Sequence, residues 1–554
     1  MDNFQIADAF TLLSKLLDIH GENSFKSKSY ASAAFAIEKL PVQLENVSQE
    51  NLASLKGIGS STAQKITEML QTGKIKALEE IIFNTPKGIL EMMQIKGLGP
   101  KKINAIWKEM GIETIGELWY ACKENRLKLF KGFGEKTQTD VMAKIEFFQK
   151  SKGSFLYAQA EKVAPLFDEF LQKIFPDSKM IVTGKMARQL ETTEALEWVI
   201  ALEEAEILKR ISQVEGITFK EKTGDALIFS TETGIEIILY PATAENIILL
   251  SIQHSSAPEF FAQLPLIATP ITDEVAYFSA AKLPYYPAMC REFPEKLLEK
   301  TEIPVTLIQP EHIRGLIHCH SNWSDGSHSI EEMAKAAIAQ GLEYMALSDH
   351  SKSAFYANGL QEERIIVQHK EIEALNKKLS PFRIFKSIES DILNDGSLDY
   401  NNAVLESFDL VIASIHSNLN MTEEKAMMRL IKAIENPYCS ILGHMTGRIL
   451  LSRSGYPVNH RKVIDACAAN QVVIELNANP SRLDIDWRHI GYALEKNVLI
   501  SIDPDAHHID GIADTRYGVL VAQKAMVTAA QNLSSFTLEA FTSYIEKTKA
   551  RKTA

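Results

Sequence analysis

The rhythm of apolar and polar positions along this chain changes near residue 310. Beyond that point, short runs rich in Ile, Val, Leu and Ala recur: GLIHCH (315–320), YMALSDH (344–350), IFKSIESDI (384–392), LVIASIH (410–416), CSILGH (439–444), VVIELNA (472–478) and VLISIDPDAH (498–507). Between most of them lie stretches with helical spacing, such as SIEEMAKAAIAQGLE and EEKAMMRLIKAIEN. This alternation predicts a parallel sheet covered by helices. Seven such units predict a distorted (β/α)7 barrel, which builds its active site at the C-terminal ends of the strands. Residues 1–150 read as helical, with three short Gly-containing interruptions. At 554 residues the chain is too long for one core, and the expected fold is multidomain, α+β and α/β.

The polar residues of the second half fall where that barrel would need them. His318 and His320 end the first run and Asp325 follows in SNWSDG. His350 ends the second, Glu389 lies near the end of the third, His416 ends the fourth and His444 the fifth, and Asp505 and His507 close the last. The i, i+2 spacing of His318 and His320 predicts that both imidazoles share one strand face. A single His at a strand end is more often a core or surface residue than a ligand. Six His and three carboxylates on one rim are another matter, because burying them together without a cation is costly. Mixed imidazole and carboxylate donors without thiolate suit two or three divalent ions, Mn or Zn or Fe. Such a centre activates water and neutralises phosphate, so the expected chemistry is phosphoester hydrolysis. Arg448 in GHMTGR and Arg482 are candidate catalytic clamps on phosphate oxygens. Cys319 is expected to pack on the opposite strand face. His328, His460 and His508 are expected in loops, behind the ligands, or against phosphate.

Charge and composition narrow the picture. Net charge is −12, which alone disfavours nucleic acid, but residues 1–150 carry 20 Lys/Arg against 18 Asp/Glu, leaving the remainder strongly acidic. Only His20 and His254 of the 14 histidines precede residue 311. Five scattered cysteines, Cys122, Cys290, Cys319, Cys439 and Cys467, contain no CxxC, as expected for a reducing cytoplasm. The start MDNFQIADAF has neither a basic nor a long apolar segment, and no run is long enough for a membrane span. A cytoplasmic protein is expected, with a monomer as the default state.

The three interruptions share one frame: LKGIGSSTAQKITEML (55–70), IKGLGPKKINAIWKEM (95–110) and FKGFGEKTQTDVMAKI (130–145). One Gly-x-Gly is a weak signal. Three in the same setting predict helix-hairpin-helix motifs, in which Gly57, Gly59, Gly97, Gly99, Gly132 and Gly134 permit a tight turn and close backbone approach. Amides at the following helix N-terminus would hold a DNA phosphate, with Lys101, Lys102 and Lys136 adding attraction. Such contacts do not read bases, so the expected partner is DNA of any sequence, at ends or gaps.

HCHSNWSDG, LSDH, IESDIL, ASIHSN, GHMTGR and DPDAH resemble successive motifs of the polymerase and histidinol phosphatase (PHP) domain. The resemblance implies the same nine metal ligands: His318, His320, Asp325, His350, Glu389, His416, His444, Asp505 and His507. One departure is Leu316, where the family usually has Asp. The front of the chain, with GENSFKSKSYASAA (21–34), is similar to a family-X DNA polymerase, VTGKMARQLETTEALEWVIA (182–201) and GIEIILY (234–240) standing where its palm strands would be. The implied domains are a lyase-like helix-hairpin-helix domain (1–80), a fingers-like domain (81–152), a nucleotidyltransferase-like palm and thumb (153–308) and the PHP barrel (309–554). Lys65 matches a Schiff-base lysine of lyase-active relatives, although a phosphate-contacting or solvated lysine is the commoner role. The polymerase motif is eroded: Gly184 is followed by Lys185, one Arg position is Ala187 and the other Arg188. The three metal-binding Asp positions are Ala195, Glu197 and Glu236.

The resulting expectation is a DNA-binding phosphoesterase, a 3′–5′ exonuclease or 3′-end processing enzyme of DNA repair, with polymerase activity lost. Its rivals are a gap-filling polymerase that proofreads, a small-molecule phosphatase resembling histidinol phosphatase, and a DNA-binding scaffold with structural metals.

Overall fold

The computed structural model describes all residues except 1, 41, 96, 151–152, 268–270, 300–302, 304–305 and 553–554. It divides into two units, one of Met1–Cys122 with Phe130–Ile145, the other of Lys123–Leu129 with Glu146–Ala554. Among the described residues, no helix is long and apolar enough to cross a membrane.

The first unit is helical. Asp2 caps helix Asn3–His20 through a reciprocal bond with Gln5, and left-handed Gly21 stops it. Its Ile6, Phe10, Leu13 and Leu17 are buried, as are Tyr30, Ala33 and Ile37 of helix Ser24–Glu38, and the Phe10 and Tyr30 rings lie 5.8 Å apart. The three glycine steps repeat one backbone conformation. Gly57, Gly97 and Gly132 have φ of +87°, +96° and +94°, where a side chain would be strained. The second glycines lead into helices: Gly59 caps Ser60–Thr72, Gly99 caps Pro100–Asn104, and Gly134 precedes Glu135–Lys150.

Among the described residues, the second unit contains two large sheets beside a short antiparallel pair, Phe155–Leu156 with Thr192–Thr193. Five strands align in the order Met180–Thr183, Ala195–Ile200, Glu236–Pro241, Ala226–Thr231 and Ile217–Thr223, antiparallel except for the pairing of Ala195–Ile200 with Glu236–Pro241. Leu196, Trp198, Ile237 and Leu239 form its core with Leu171 of helix Tyr157–Ile174 and with Phe175, just past its end. The other sheet has seven parallel strands in sequence order: Gly315–Cys319, Tyr344–Leu347, Arg383–Asp391, Leu410–Ser414, Ile441–Leu442, Val473–Asn477 and Ile500–Asp503. A parallel bridge between Cys319 and Ala506 brings its ends together, with His320 N donating to Ala506 O at 2.9 Å. Every residue of most of these strands is buried, as expected when helices cover one face and the opposite strands fill the other. Leu316 lies wholly in this apolar interior.

Sheet and barrel meet at a buried ionic seam. Arg188 binds Glu292 through two bonds of 2.7 and 2.6 Å. Lys524 donates to Arg188 O at 2.8 Å and lies 3.4 Å from Glu292, with its ammonium 4.7 Å from the centre of the Trp487 ring. Burial lowers the Lys524 amine to about 8, with Glu292 pulling the other way. One carboxylate thus compensates two cations, Lys524 fully buried and Arg188 partly so. Removing one partner of such a group leaves uncompensated charge. Glu292→Ala is therefore expected to destabilise the second unit by about 3–5 kcal/mol, read as a lower denaturation midpoint at unchanged slope.

Candidate metal centre

The first barrel strand does not keep the regular alternation that its sequence predicts. Its register slips between Ile317 and Cys319, and His318 takes a left-handed conformation with φ of +57°. This bulge re-aims the His318 ring while leaving it beside His320, at 5.3 Å between ring centres. Cys319 packs in the apolar interior. Asp505 is also left-handed, with φ of +54°. Strained non-glycine residues of this kind tend to cluster at functional sites.

The nine predicted donors converge. Glu389 is the hub: its carboxylate lies 3.0 Å from His350 and His444, 3.1 Å from His416, 3.3 Å from His318 and 3.7 Å from His320. Asp505 lies 3.1 Å from His320 and 3.4 Å from His318. Asp325 lies 3.4 Å from His507 and 3.5 Å from His350. The donors form overlapping groups suited to metal ions, among them His320 with Asp325, His350 and His507; His318 with His320 and Asp505; and His350 with Glu389 and His416.

Several of these atoms are buried and make no hydrogen bond: Nε2 of His318 and His507, Nδ1 of His320, His350 and His444, Oδ2 of Asp325 and Oε2 of Glu389. Lone pairs so placed would be costly unless a cation took them. Electrostatics say the same. Burial alone would lower His318, but Glu475, Asp505 and Glu389 hold it well above the ordinary imidazole value. Burial likewise opposes protonation of His416 and His507, yet Glu389 beside the one and Asp325 beside the other raise each to about 9. Burial would raise Asp325, Glu389 and Asp505, but the surrounding imidazoles hold all three well below the usual carboxylate range. The cluster demands positive charge, which divalent ions would supply in place of protons.

A set of residues absent from the sequence expectations holds these donors. Glu475, fully buried on the sixth barrel strand, accepts from His318 Nδ1 and from His444 N. Asp391 accepts from His416 Nδ1. Each bond fixes the ring so that Nε2 faces inward with its lone pair. Asp349 accepts from Ser321 N and Oγ, both at 2.8 Å, from Ser324 Oγ at 2.5 Å and from Gln368 at 2.7 Å, and so shapes the loop that carries Asp325. Burial and Glu475 push the Asp503 carboxyl up. The signal for Glu475 was a lone acid inside the apolar run VVIELNA.

The two arginines part company. Arg482 is buried with Nε 3.9 Å from Asp505 Oδ2. Arg448 is placed otherwise than a phosphate clamp requires: its guanidinium donates to Arg482 O at 2.9 Å, to Asp486 at 2.7 Å and to Leu483 O. It braces the loop that carries Arg482. His460 stacks on His489 at 3.8 Å, and His328 meets His508 edge-on at 4.3 Å, so none of the three unassigned histidines joins the nine donors.

In the five-stranded sheet the degenerate carboxylates are already satisfied. Glu197 accepts from Tyr240 OH at 2.7 Å and from Lys185 N at 3.3 Å. Glu236 pairs with Lys220 at 2.5 Å. Ala195, buried, pairs in register with Glu236. In the helical unit, a Cβ on Gly59, Gly99 or Gly134 would meet nothing within 4 Å. The chain's own packing does not require glycine there, and the turn surfaces are open to a ligand. Lys101 and Lys136 are exposed beside them and Lys102 is half-buried. Lys65, on helix Ser60–Thr72, sits 5.9 Å from the centre of the Tyr30 ring.

Comparison with known proteins agrees with this division. Family models match a helix-hairpin-helix domain at residues 1–75, a SAM-like helix-hairpin-helix tandem at 89–144 and a PHP domain at 317–479. The DNA polymerase/3'-5' exonuclease PolX of Bacillus subtilis (strain 168) is 32% identical over 557 residues, covering 96% of this chain and 97% of the relative. A "Probable phosphatase" of Caldanaerobacter subterraneus subsp. tengcongensis is 27% identical over 201 residues, 34% of this chain and 74% of its own length. Another, of Thermoanaerobacter sp. (strain X514), is 30% identical over 165 residues, 29% of this chain and 62% of its own.

Two outcomes are expected from the geometry. Stripping divalent ions with a chelator should lower the thermal midpoint of the second unit, and restoring Mn²⁺ or Zn²⁺ at a hundred times its dissociation constant should return about 3 kcal/mol. Glu475→Gln should weaken metal binding on the order of 10–100-fold through the loosened His318 ring, measured by competition with a chromophoric chelator.

Proposed function

Because the chain belongs to the bacterial family-X DNA polymerases that carry a C-terminal PHP domain, we propose that its barrel is a metal-dependent 3′–5′ exonuclease or 3′-end processing centre and that its palm no longer polymerises. The reading is carried by a contrast between two sites in one unit. Six imidazoles and three carboxylates crowd into overlapping buried groups in the barrel, whereas the palm carboxylates are dispersed into pairs with Tyr240 and Lys220.

His318, His320, Asp325, His350, Glu389, His416, His444, Asp505 and His507 would hold two or three Mn²⁺, Zn²⁺ or Fe ions. When bound, such ions activate water and neutralise charge on the phosphate and leaving oxygen. The chain's own part is to fix the donors in space, through Glu475, Asp391 and Asp349, and to place Arg482 where its guanidinium can take a phosphate oxygen beside Asp505. Arg448 acts at one remove, by holding the loop of Arg482. Cleavage of the terminal phosphodiester releases a nucleotide and leaves a new end.

The helical unit argues for DNA rather than a small phosphate ester as substrate. Three left-handed Gly turns with open surfaces, two of them followed by exposed lysines, suit backbone contact to phosphate without base reading. In the palm, two-metal nucleotidyl transfer needs carboxylates that bridge ions about 4 Å apart, and Ala195 offers none.

Degradation of 3′-labelled and 5′-labelled DNA by purified protein in Mn²⁺ tests the assignment. Progressive shortening from the 3′ end is expected, abolished in His318→Ala/His320→Ala, with no templated extension of a gapped primer. Equal shortening by the double variant would refute it. Fast phosphomonoester turnover without DNA affinity would favour the small-molecule phosphatase, and dNTP-dependent extension lost in Glu197→Ala/Glu236→Ala would favour the polymerase.

A further inference from the structure

Residues Lys123–Leu129 belong to the second unit, although the chain on either side belongs to the first. Three consecutive side chains of this segment engage the rim of the barrel. Glu124 is buried, with Oε2 2.9 Å from Arg126 Nε and Oε1 3.9 Å from Arg482 Nη2. Asn125, left-handed with φ of +58°, donates its amide to Ser327 Oγ at 2.6 Å. The Arg126 guanidinium lies over the Tyr356 ring, 5.3 Å from its centre. The segment is seated by specific contacts, and the contact of Glu124 is with the metal centre itself. Glu124, Asp505 and His507 each place one potential ligand atom within 4.8 Å of the others.

Two buried carboxylates so close repel each other unless positive charge lies between them. Arg126 and Arg482 supply part of it from the flank. A second observation points inward. His507 Nδ1 lies 3.0 Å from the Asp505 carbonyl, which fixes that nitrogen as the donor, and Nε2 is buried without a hydrogen bond. A neutral His507 therefore carries its lone pair at Nε2, as a metal ligand must. Two carboxylates and an imidazole are a donor set that Mn²⁺ or Zn²⁺ accepts.

We propose that Glu124 is a tenth ligand of the metal centre, supplied from outside the barrel, and that with Asp505 and His507 it completes one of the metal positions. The proposal rests on the reading of the barrel as a metal centre. It makes loading of that position depend on the 123–129 segment, so that metal and segment hold each other in place.

The test is a calorimetric titration of chelator-stripped, full-length protein with Mn²⁺ and separately with Zn²⁺, together with amide exchange of residues 123–129. Wild type, Glu124→Gln, Glu124→Asp and Arg126→Gln are compared. In wild type, metal should slow exchange in 123–129. Glu124→Gln should weaken one metal position at least on the order of tenfold and abolish that slowing, while Arg126→Gln, which removes the flanking ion pair and the contact with the Tyr356 ring but no candidate ligand, should leave the affinity within a few-fold. If Glu124→Gln fails to fold, Glu124→Asp, which keeps the charge and withdraws the oxygen by one methylene, carries the same expectation. Unchanged stoichiometry and affinity in the Glu124 variants would overturn the proposal and leave the nine-donor centre standing, with Glu124 reduced to a partner of Arg126 and Arg482. A wild type that binds no metal would instead overturn the metal-centre reading on which the proposal rests.

Discussion

Burying six imidazoles and three carboxylates within a few ångströms is a severe electrostatic demand. Each ion taken from water costs several kcal/mol even after relaxation, and like-charged neighbours add to it. The barrel meets the demand by arranging charges alternately: Glu389 stands among five imidazoles, and Asp325 and Asp505 stand on their far sides. Even so, inward-facing atoms of His318, His320, His350, His444 and His507 are left without hydrogen bonds. With Asp325 Oδ2 and Glu389 Oε2, seven such atoms crowd into one cluster of nine donors, a concentration that bound cations would relieve.

Much else in the second unit follows from holding those donors still. A bulge at His318 and a left-handed turn at Asp505 aim two ligands that a regular strand would aim elsewhere. Glu475 and Asp391 lock the tautomers of His318 and His416, and Asp349 ties down the loop of Asp325. At the Arg188–Glu292–Lys524 seam, an arginine of the eroded polymerase motif has become part of the joint between sheet and barrel. That use accords with the proposal of a palm kept as structure, since the Arg188 guanidinium is already bonded to Glu292.

The convergence of the nine donors was legible because two simple rules apply to them. Buried parallel strands read as apolar runs, and barrel chemistry sits where those runs end. The glycine turns were legible because three copies repeat one frame. What the sequence did not disclose depends on tertiary placement. The His318–His320 spacing suggests a regular strand, and only pairing with the neighbouring strand reveals the bulge. Glu475 looks like a stray acid in an apolar run until His318 is seen 157 residues away. Arg448 shares a motif with His444, yet its bonds go to residues 482–486. Glu124 lies about 200 residues before the nearest ligand, and no local pattern connects them. Leu316, where the family usually has Asp, packs in the apolar interior, while Glu475 takes the His318 ring.

On the proposed reading, catalysis sits in the barrel, and the other parts hold DNA and support the centre. On that reading the nine donors exist to bind several metal ions. Anomalous diffraction from crystals of the full chain, measured on both sides of the manganese and zinc absorption edges, tests it directly. Two or three peaks about 4 Å apart, enclosed by His318, His320, Asp325, His350, Glu389, His416, His444, Asp505 and His507, are predicted. A map with no peak among those residues, from crystals grown with excess metal, would contradict the claim.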